Sequence, residues 1–456
     1  MMYIDLLNLM GGFVMTGSVR PRPIQVALLS LLVLLGCYCR SEAQPNHGKI
    51  FGAYFEEWGT HYSGYNIADL EKSGIADQLT YLIYAFGNVT PGSTPTCEVA
   101  DPVAAFRDPA VPSVSGKPYV SPLYGNFGAI LELKQLHPHL KVLISLGGQL
   151  GNASGWVTAS KTPAGRAALV ASCINTFVKG NVAPGVQARN LFDGFNIDWE
   201  FPSAADKDDF TALLKEFRAQ LNDLTKTTHN KYILSFDSPA LQKDYVNIDL
   251  KAAAAQVDFL TIDGYDYAGP SDKLTNEASP LYEADNNPLH AQSSSIDETV
   301  KAYLGAGVPA SKYLMGFPLY AVGWTGVPDV NHGLYQQLKD ISPVLLADGS
   351  SLCPHPDKAS PSPGCDPLLA AGFLTYSTIE NLINKNGFVE WFDATRVGAT
   401  LYNSAAGTFY TYDDPTSVAT KTAYIRKNKL GGAYVWVLGQ DDANASLTKA
   451  ILAGLQ

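Results

Sequence analysis

The sequence predicts an α/β fold, a (β/α)8 TIM barrel with a small α+β insertion domain between strands 7 and 8. Short β-prone runs alternate with helical patterns from residue 50 onward, which is the order of βαβ units around a parallel sheet. Nearly every β-prone run is apolar on both faces, as the buried strands of a parallel sheet must be. The alternation is interrupted once, by a stretch long enough to form a subdomain.

Eight strand candidates follow one another along the chain, at 50–55, 79–86, 141–148, 191–200, 232–237, 257–265, 313–320 and 431–438. Helical patterns separate most of them and close the chain, at 127–136, 164–179, 206–224, 244–256, 295–306, 417–428 and 442–455. Eight such units are the number that closes a barrel, and the active sites of these barrels lie at the carboxyl ends of the strands.

The interruption covers residues 321–412 and contains several Gly and Pro residues and short strand-like pieces such as TFYTY. Insertions in barrels gather in the loops that follow strands, on the catalytic face. We therefore expect residues 44–456 to form the catalytic barrel and 321–412 to form an α+β subdomain at its rim.

The first 43 residues have the features of a secretory signal peptide. Arg20 and Arg22 precede the apolar run 24–39, and small residues follow it before a cleavage point expected after Ala43. Met15 is an alternative start. The sequence thus predicts a secreted protein, with a lipoprotein anchored through Cys37 as the alternative.

Four cysteines remain after the signal peptide, an even number in an oxidising compartment. Cys353 and Cys365 bracket a Pro-rich loop, so we expect a local disulfide there. Cys97 and Cys173 would then pair by elimination. No spacing resembles a zinc site, and we expect neither a metal nor a cofactor.

The net charge of −11 argues against nucleic acid or an anionic membrane as the main partner. An uncharged polymer fits this charge better, and we expect a monomer without a membrane span.

The stretch FDGFNIDWEFP at 192–202 contains the most unusual pattern in the chain. Because strand side chains alternate with a period of two, Asn196, Asp198 and Glu200 share one face. Two adjacent carboxylates repel each other unless they share a proton or face a cation. Glu200 ends the fourth strand, where a barrel carries its chemistry.

Other strand ends bring polar and aromatic side chains to the same rim. They are Tyr54 and Trp58 on the first strand, Phe86 on the second, Ser145, Gly147 and Gly148 on the third, Asp263, Tyr265 and Asp266 on the sixth, and Trp436 on the eighth. Carboxylates, tyrosines and a tryptophan around one cleft are typical of a sugar site.

The segment DGFNIDWE at 193–200 resembles the DGxDxDxE signature of glycoside hydrolase family 18, the chitinase family. SLGG at 145–148, GYDYAG at 264–269 and GGAYVWVLGQDD at 431–442 are similar to three further motifs of that family. The resemblance extends from about residue 50 to the end of the chain.

The resemblance implies a secreted chitinase acting on chitin or chitooligosaccharides by a substrate-assisted retaining mechanism, to which paired-carboxylate geometry does not apply. Glu200 would be the general acid, and Asp198 would hold the acetamide N–H of the substrate. Tyr265 would bind the acetamide oxygen, and Trp436 would lie beneath the sugar. The other expected substrate-binding residues are Tyr54, Phe86, Asp266, Ser145 and Gly148.

The chain departs from the family at several positions. Asn196 stands where the middle Asp of the signature is usual, so we expect a lower turnover or a shifted acid limb, with activity retained. Asp263 replaces a common Met. Gln149 stands where a Trp is frequent, and Trp156 is a candidate to supply that surface instead.

Two alternatives to a chitinase remain open. One is an endo-β-N-acetylglucosaminidase acting on N-glycans. The other is a weakly active or non-catalytic chitin-binding lectin, because of Asn196. Lectins of this kind typically lack the acid at the position of Glu200, which this chain keeps, and the insertion favours a groove for a linear chain.

Overall fold

The computed structural model describes residues 48–119, 121–149, 151, 153–289, 295–339 and 372–456. The expected signal peptide and the expected Cys353–Cys365 pair lie outside the described residues. In the described residues the strands are β1 (Ile50–Glu56), β2 (Tyr81–Val89), β3 (Cys97–Val99), β4 (Lys141–Gly147), β5 (Gly194–Asp198), β6 (Ile233–Ser238), β7 (Phe259–Ile262), β8 (Tyr313–Pro318), β9 (Tyr320–Thr325), β10 (Phe373–Thr375), β11 (Val389–Asp393), β12 (Gly398–Asn403), β13 (Thr408–Tyr412) and β14 (Gly432–Trp436).

The α-helices of the same residues are Gly59–Tyr62, Ile67–Ser73, Gly125–Leu136, Ala153–Ser160, Pro163–Cys173, Lys207–Thr228, Gln242–Tyr245, Leu250–Ala254, Ile296–Gly305, Tyr376–Leu382, Pro415–Lys427 and Ser446–Leu455. None of the helices in the described part of the chain is long and apolar enough to cross a membrane.

Eight parallel strands close the barrel, in the order β1, β2, β4, β5, β6, β7, β8, β14 and back to β1. This confirms the predicted fold class. The longest helix, Lys207–Thr228, buries Phe210, Leu213, Leu214, Phe217 and Leu221. These residues recur at intervals of three and four, so they form one apolar stripe against the outside of the barrel.

The prediction of a single helix over 244–256 is wrong. The structure has two short helices there, and the second begins where the Asp249 side chain accepts a hydrogen bond from the Ala252 N–H. An Asp with this cap geometry starts a helix rather than continuing one.

A second, antiparallel sheet lies between β8 and β14 in the sequence, with the strand order β10-β9-β13-β12-β11. Together with the helix Tyr376–Leu382 it forms the insertion. Two buried ion pairs support it: Lys421–Asp413 joins the residue after β13 to the helix Pro415–Lys427, and Arg396–Glu277 joins the insertion to the loop after β7. Lys421 Nζ lies 2.5 Å from Asp413 Oδ1, and Arg396 Nε lies 2.9 Å from Glu277 Oε2.

Cys97 on β3 and Cys173 at the end of the helix Pro163–Cys173 form a disulfide, with their Cα atoms 4.7 Å apart. The bond joins the β2–β3 hairpin to the helical layer.

Candidate active site

The alternation of β5 places its polar side chains inside the barrel. Asn196 is fully buried and Asp198 is 3% exposed, while Phe195 on the opposite face packs 5.3 Å from the ring of Phe217. The parallel register sets Asn196 beside Ser145 of β4 and Ser235 of β6, and Asp237 beside Thr261 of β7. The four strands therefore point one polar layer into the barrel interior.

Asn196 uses both ends of its amide in this layer. Its Oδ1 accepts hydrogen bonds from the Tyr54 hydroxyl at 3.0 Å and from Ser145 Oγ at 2.9 Å. Its Nδ2 donates to Ser235 Oγ at 3.0 Å and to Thr261 Oγ1 at 3.3 Å. The amide is thus saturated, as a buried polar group should be.

Asp198 and Glu200 lie above this layer and hold protons unusually tightly. Burial, followed by the charge of Asp263, raises the pKa of Asp198 to about 7, although hydrogen bonds from Ser145 and Glu200 oppose the rise. Burial, followed by the charges of Asp198 and Asp266, raises the pKa of Glu200 to about 9. The pair therefore keeps a proton at neutral pH, carried on Glu200 and directed toward Asp198.

Two further acids face the same space. Burial, and then the charge of Asp263, raises the pKa of Asp237 well above its usual value. Burial, and then the charges of Glu200 and Asp266, does the same for Asp263. The sequence interpretation missed Asp237. A single acid near the carboxyl end of an otherwise apolar barrel strand was the signal that could have found it.

Three tyrosines bind the acids at the wall of the cleft. The Tyr434 hydroxyl donates to Asp263 Oδ1 at 2.9 Å and lies 3.1 Å from the Tyr265 hydroxyl. The Tyr320 hydroxyl donates to Asp266 Oδ1 at 2.6 Å. Tyr434 and Tyr320 were not predicted, because each needs the barrel or the insertion to close before it reaches an acid.

An aromatic surface forms the other wall. The rings of Trp58 and Phe86 lie 5.9 Å apart, as do those of Phe86 and Trp436, with interplanar angles of 27° and 28°. Tyr54 is close to Trp436, with 5.1 Å between the ring centroids. Near-parallel rings of this kind offer a stacking platform to the apolar face of a sugar.

Three expected binding residues lie behind the cleft surface. Ser145 is fully buried and reaches a ligand only through Asp198, 3.2 Å away. Gly148 has φ +83°, and a Cβ there would lie 2.6 Å from the Phe86 ring, so it permits the position of Phe86. Trp156 is 1% exposed and stacks on Trp199, so the expectation that it supplies a sugar surface is wrong.

The cleft between the two walls has a volume of about 580 Å³, and Glu200, Asp198, Tyr265, Trp436 and Gln149 are among the residues that line it. A groove of about 1390 Å³ adjoins it and shares Glu200, Asp263, Tyr265 and Asp266 with it. Within the described ranges, no group of His, Cys, Asp and Glu side chains could hold a metal ion. The arrangement is an elongated groove with a protonated acid at its centre.

Comparison with known proteins gives a consistent result. The model of the family described as glycosyl hydrolases family 18 matches residues 50–441. Chitinase A1 of Niallia circulans is 29% identical over 445 residues, covering 89% of this chain and 58% of that protein. Chitinase ChiA of Flavobacterium johnsoniae is 30% identical, covering 90% of this chain and 28% of that protein. The chain thus spans well under two thirds of these relatives' length.

Among solved structures, the catalytic domain of psychrophilic chitinase B from Arthrobacter TAD20 superposes with a TM-score of 0.75 at 30% identity, covering 90% of this chain and 95% of that chain. Chitinase ChiA74 from Bacillus thuringiensis has a TM-score of 0.74 at 27% identity, covering 90% of this chain and 70% of that chain.

Proposed function

The chain belongs to family 18 of the glycosyl hydrolases, and on that basis we propose that it is a chitinase that hydrolyses β-1,4-linked N-acetylglucosamine polymers or oligomers. One observation carries the proposal. Glu200, two residues after β5, lies in a groove lined by aromatic rings, where burial and the charges of Asp198 and Asp266 raise its pKa to about 9. An acid that keeps its proton at neutral pH can give it to a leaving glycosidic oxygen.

In the first step, the acetamide oxygen of the substrate attacks the anomeric carbon. The glycosidic C–O bond breaks, and the proton of Glu200 moves to the leaving oxygen. The product is an oxazolinium ion on the substrate and a carboxylate at Glu200.

Asp198 is suited to hold the acetamide group during this step. Its Oδ1 is buried and receives no hydrogen bond from an amide or hydroxyl group of the described residues. That oxygen can accept the acetamide N–H, and the ionised Asp198 stabilises the positive charge of the oxazolinium ion.

In the second step, a water molecule attacks the anomeric carbon from the side of the departed sugar. The Glu200 carboxylate takes a proton from this water, and the C–O bond of the oxazolinium opens. Two inversions at one carbon retain its configuration. Tyr265 would donate to the acetamide oxygen, and Trp436 would stack beneath the ring.

The chain would act outside the cytoplasm. The Cys97–Cys173 disulfide supports this part of the proposal, because such bonds persist in oxidising compartments.

The test is hydrolysis of chitotetraose and chitohexaose by the full chain and by Glu200→Gln. We expect the natural protein to release chitobiose, with the β anomer first in the NMR spectrum, and the variant to lose at least about a thousandfold in kcat. If both proteins bind the oligomers and neither cleaves them, the chain is a lectin. Cleavage of N-glycan cores in place of chitooligosaccharides would identify the endo-β-N-acetylglucosaminidase.

A further inference from the structure

Asp237 has no part in the reaction described above, yet it lies at the base of the same cleft. It is 8% exposed, on β6, between the strands that carry Asn196 and Thr261. Burying an acid in such a place is costly, and the cost calls for a role.

The Thr261 hydroxyl connects Asp237 to Asn196. Thr261 Oγ1 lies 3.0 Å from Asp237 Oδ1 and 3.3 Å from the Phe236 carbonyl oxygen. A hydroxyl has one hydrogen to donate, and the closer acceptor is the Asp237 carboxyl group. Once that hydrogen is committed, the oxygen of Thr261 remains as an acceptor for the Asn196 N–H at 3.3 Å.

Ser235 fixes the second hydrogen of the same amide. Its hydroxyl donates to the Phe195 carbonyl oxygen at 3.4 Å, so its oxygen accepts from Asn196 Nδ2 at 3.0 Å. Both amide hydrogens of Asn196 therefore point toward β6 and β7. The amide oxygen must then face the opposite side, toward Tyr54 and Ser145.

This orientation determines what Ser145 can do. Ser145 Oγ has one hydrogen to donate, and this oxygen lies 2.9 Å from Asn196 Oδ1 and 3.2 Å from Asp198 Oδ2. Tyr54 gives Asn196 Oδ1 a second hydrogen bond at 3.0 Å. The Ser145 hydrogen is shared between Asn196 Oδ1 and Asp198 Oδ2 in a three-centre bond, and an ionised Asp198 attracts it more strongly. A chain of directed hydrogen bonds thus connects Asp237, through Thr261, Asn196 and Ser145, to Asp198.

We propose that Asp237 is a positioning residue for the proposed reaction: through Thr261 it fixes the Asn196 amide with its oxygen toward Ser145, which in turn holds Asp198 beside Glu200. The inference rests on the proposed function of this site. The carboxyl group missing at position 196 is thus present one hydroxyl away, at 237, and the two positions form a matched pair of one amide and one carboxyl.

The pairing has a direct consequence for substitutions. The acids acting on Asp237 are Asp198 at the end of β5, Glu200 two residues beyond it, and Asp263 after β7. The charge of Asp237 also raises the pKa of four tyrosines, which are Tyr54 on β1, Tyr265 after β7, Tyr303 on the helix Ile296–Gly305 and Tyr434 on β14. A second carboxyl group at position 196 would compete with Asp237 for the one Thr261 hydrogen. The neighbouring acids would also repel its charge.

The test is an exchange of the amide and the carboxyl. Asn196→Asp, Asp237→Asn and the double variant are compared with the natural protein for kcat and KM on chitotetraose. We expect each single variant to lose about tenfold or more in kcat at unchanged KM, and the double variant to recover at least about tenfold relative to the product of the two losses. Independent effects, with coupling below about twofold, would overturn the proposal.

A further variant tests whether the effect of Asp237 reaches Asp198 through the Thr261 hydroxyl. Thr261→Val removes the hydroxyl and keeps the volume, so Ser145 loses its orientation and Asp198 loses a hydrogen bond to its ionised form. We expect the acid limb of kcat/KM to move up by about one pH unit. The control is Thr422→Val, which changes a buried threonine on the helix Pro415–Lys427 and should leave the acid limb in place. An unchanged acid limb in Thr261→Val would contradict the connection through Thr261.

The unfolding free energies of the exchange quartet measure the same coupling without any substrate. A natural protein that cleaves no chitooligosaccharide overturns the proposed function. Additive unfolding free energies across the quartet overturn the pairing of Asn196 with Asp237, whatever the activity.

Discussion

Tyr320, the first residue of the insertion, donates a 2.6 Å hydrogen bond from its hydroxyl to Oδ1 of Asp266, on the rim of the barrel. Burial raises the pKa of Asp266 to about 6, and the Tyr320 hydrogen bond opposes the rise. The insertion therefore acts on the ionisation of an acid in the cleft.

Tyr320→Phe should shift the acid limb of kcat/KM to higher pH. The variant loses a hydrogen bond to the ionised form, so the pKa of Asp266 rises further and the carboxylate is lost sooner as the pH falls. We expect the pKa of Asp266 to rise by about one unit, the size of one charge-assisted hydrogen bond, into the range where Asp198 titrates. The acid limb should then become steeper, and its midpoint should move up by less than one unit. Tyr402→Phe, whose hydroxyl bonds the Val327 carbonyl oxygen elsewhere in the insertion, is the matched control.

The pH–rate profile of the natural protein should be bell-shaped, because the Asp198–Glu200 pair is active with one proton. Its two titrations lie at about 7 and about 9, so kcat/KM should fall below the first and above the second. Asp198→Asn removes the charge that raises the pKa of Glu200, and the alkaline limb should move to lower pH with a loss of about 100-fold in kcat. An alkaline limb that stays in place would show that Asp198 does not set the pKa of Glu200.

Asp263→Asn should stabilise the fold, and more so at higher pH. The folded-state pKa of Asp263 is raised, so its contribution to stability is complete below its unfolded pKa and is lost as the pH rises toward the folded value. Asn keeps an acceptor for Tyr434 and has no charge to bury. We expect a Tm gain of about 2–4 °C at pH 8, the effect of about 1 kcal/mol in a large domain, and a smaller gain at pH 5. Equal gains at both pH values would exclude titration as the cause.

Lys421→Met should destabilise the fold by about 3–5 kcal/mol, because it leaves Asp413 buried without its partner. The double variant Lys421→Met/Asp413→Leu should recover most of the loss. Urea unfolding measures both, with the exposed Lys427→Met on the same helix as the control. Failure of the double variant to recover would mean that the Lys421 contacts to Ser279 matter more than the ion pair.

Trp436→Ala should raise KM for chitotetraose by about tenfold or more, as expected for a lost stacking surface of about 1–3 kcal/mol. Trp391→Ala serves as the control, because Trp391 is 42% exposed on β11 and is not among the residues that line the cleft. Equal effects of the two substitutions would place the main binding surface outside the cleft.

Site residues could be predicted where the pattern of a single strand determines which face their side chains share. The alternation of β5 alone places Asn196, Asp198 and Glu200 on one face, and the rule that barrels act at strand ends locates that face. The sequence could not reveal relationships that depend on closure. Asp237 meets Thr261 only through the register of β6 with β7, and Tyr320 meets Asp266 only once the insertion folds back. Trp156 was misassigned because its helix turns it toward Trp199, which a loop-based interpretation does not consider.

The buried pair of Lys421 and Asp413 also limits which parts of this chain can be removed or exchanged. Lys421 donates to Ser279, and the Ser279 hydroxyl donates to the Gly264 carbonyl oxygen at 2.5 Å, one residue before Tyr265. The insertion is therefore no detachable module that could be trimmed, swapped or grafted to alter groove length alone. Any exchange of it between homologues must carry position 413 with it, or the recipient barrel loses the support of its own tyrosine.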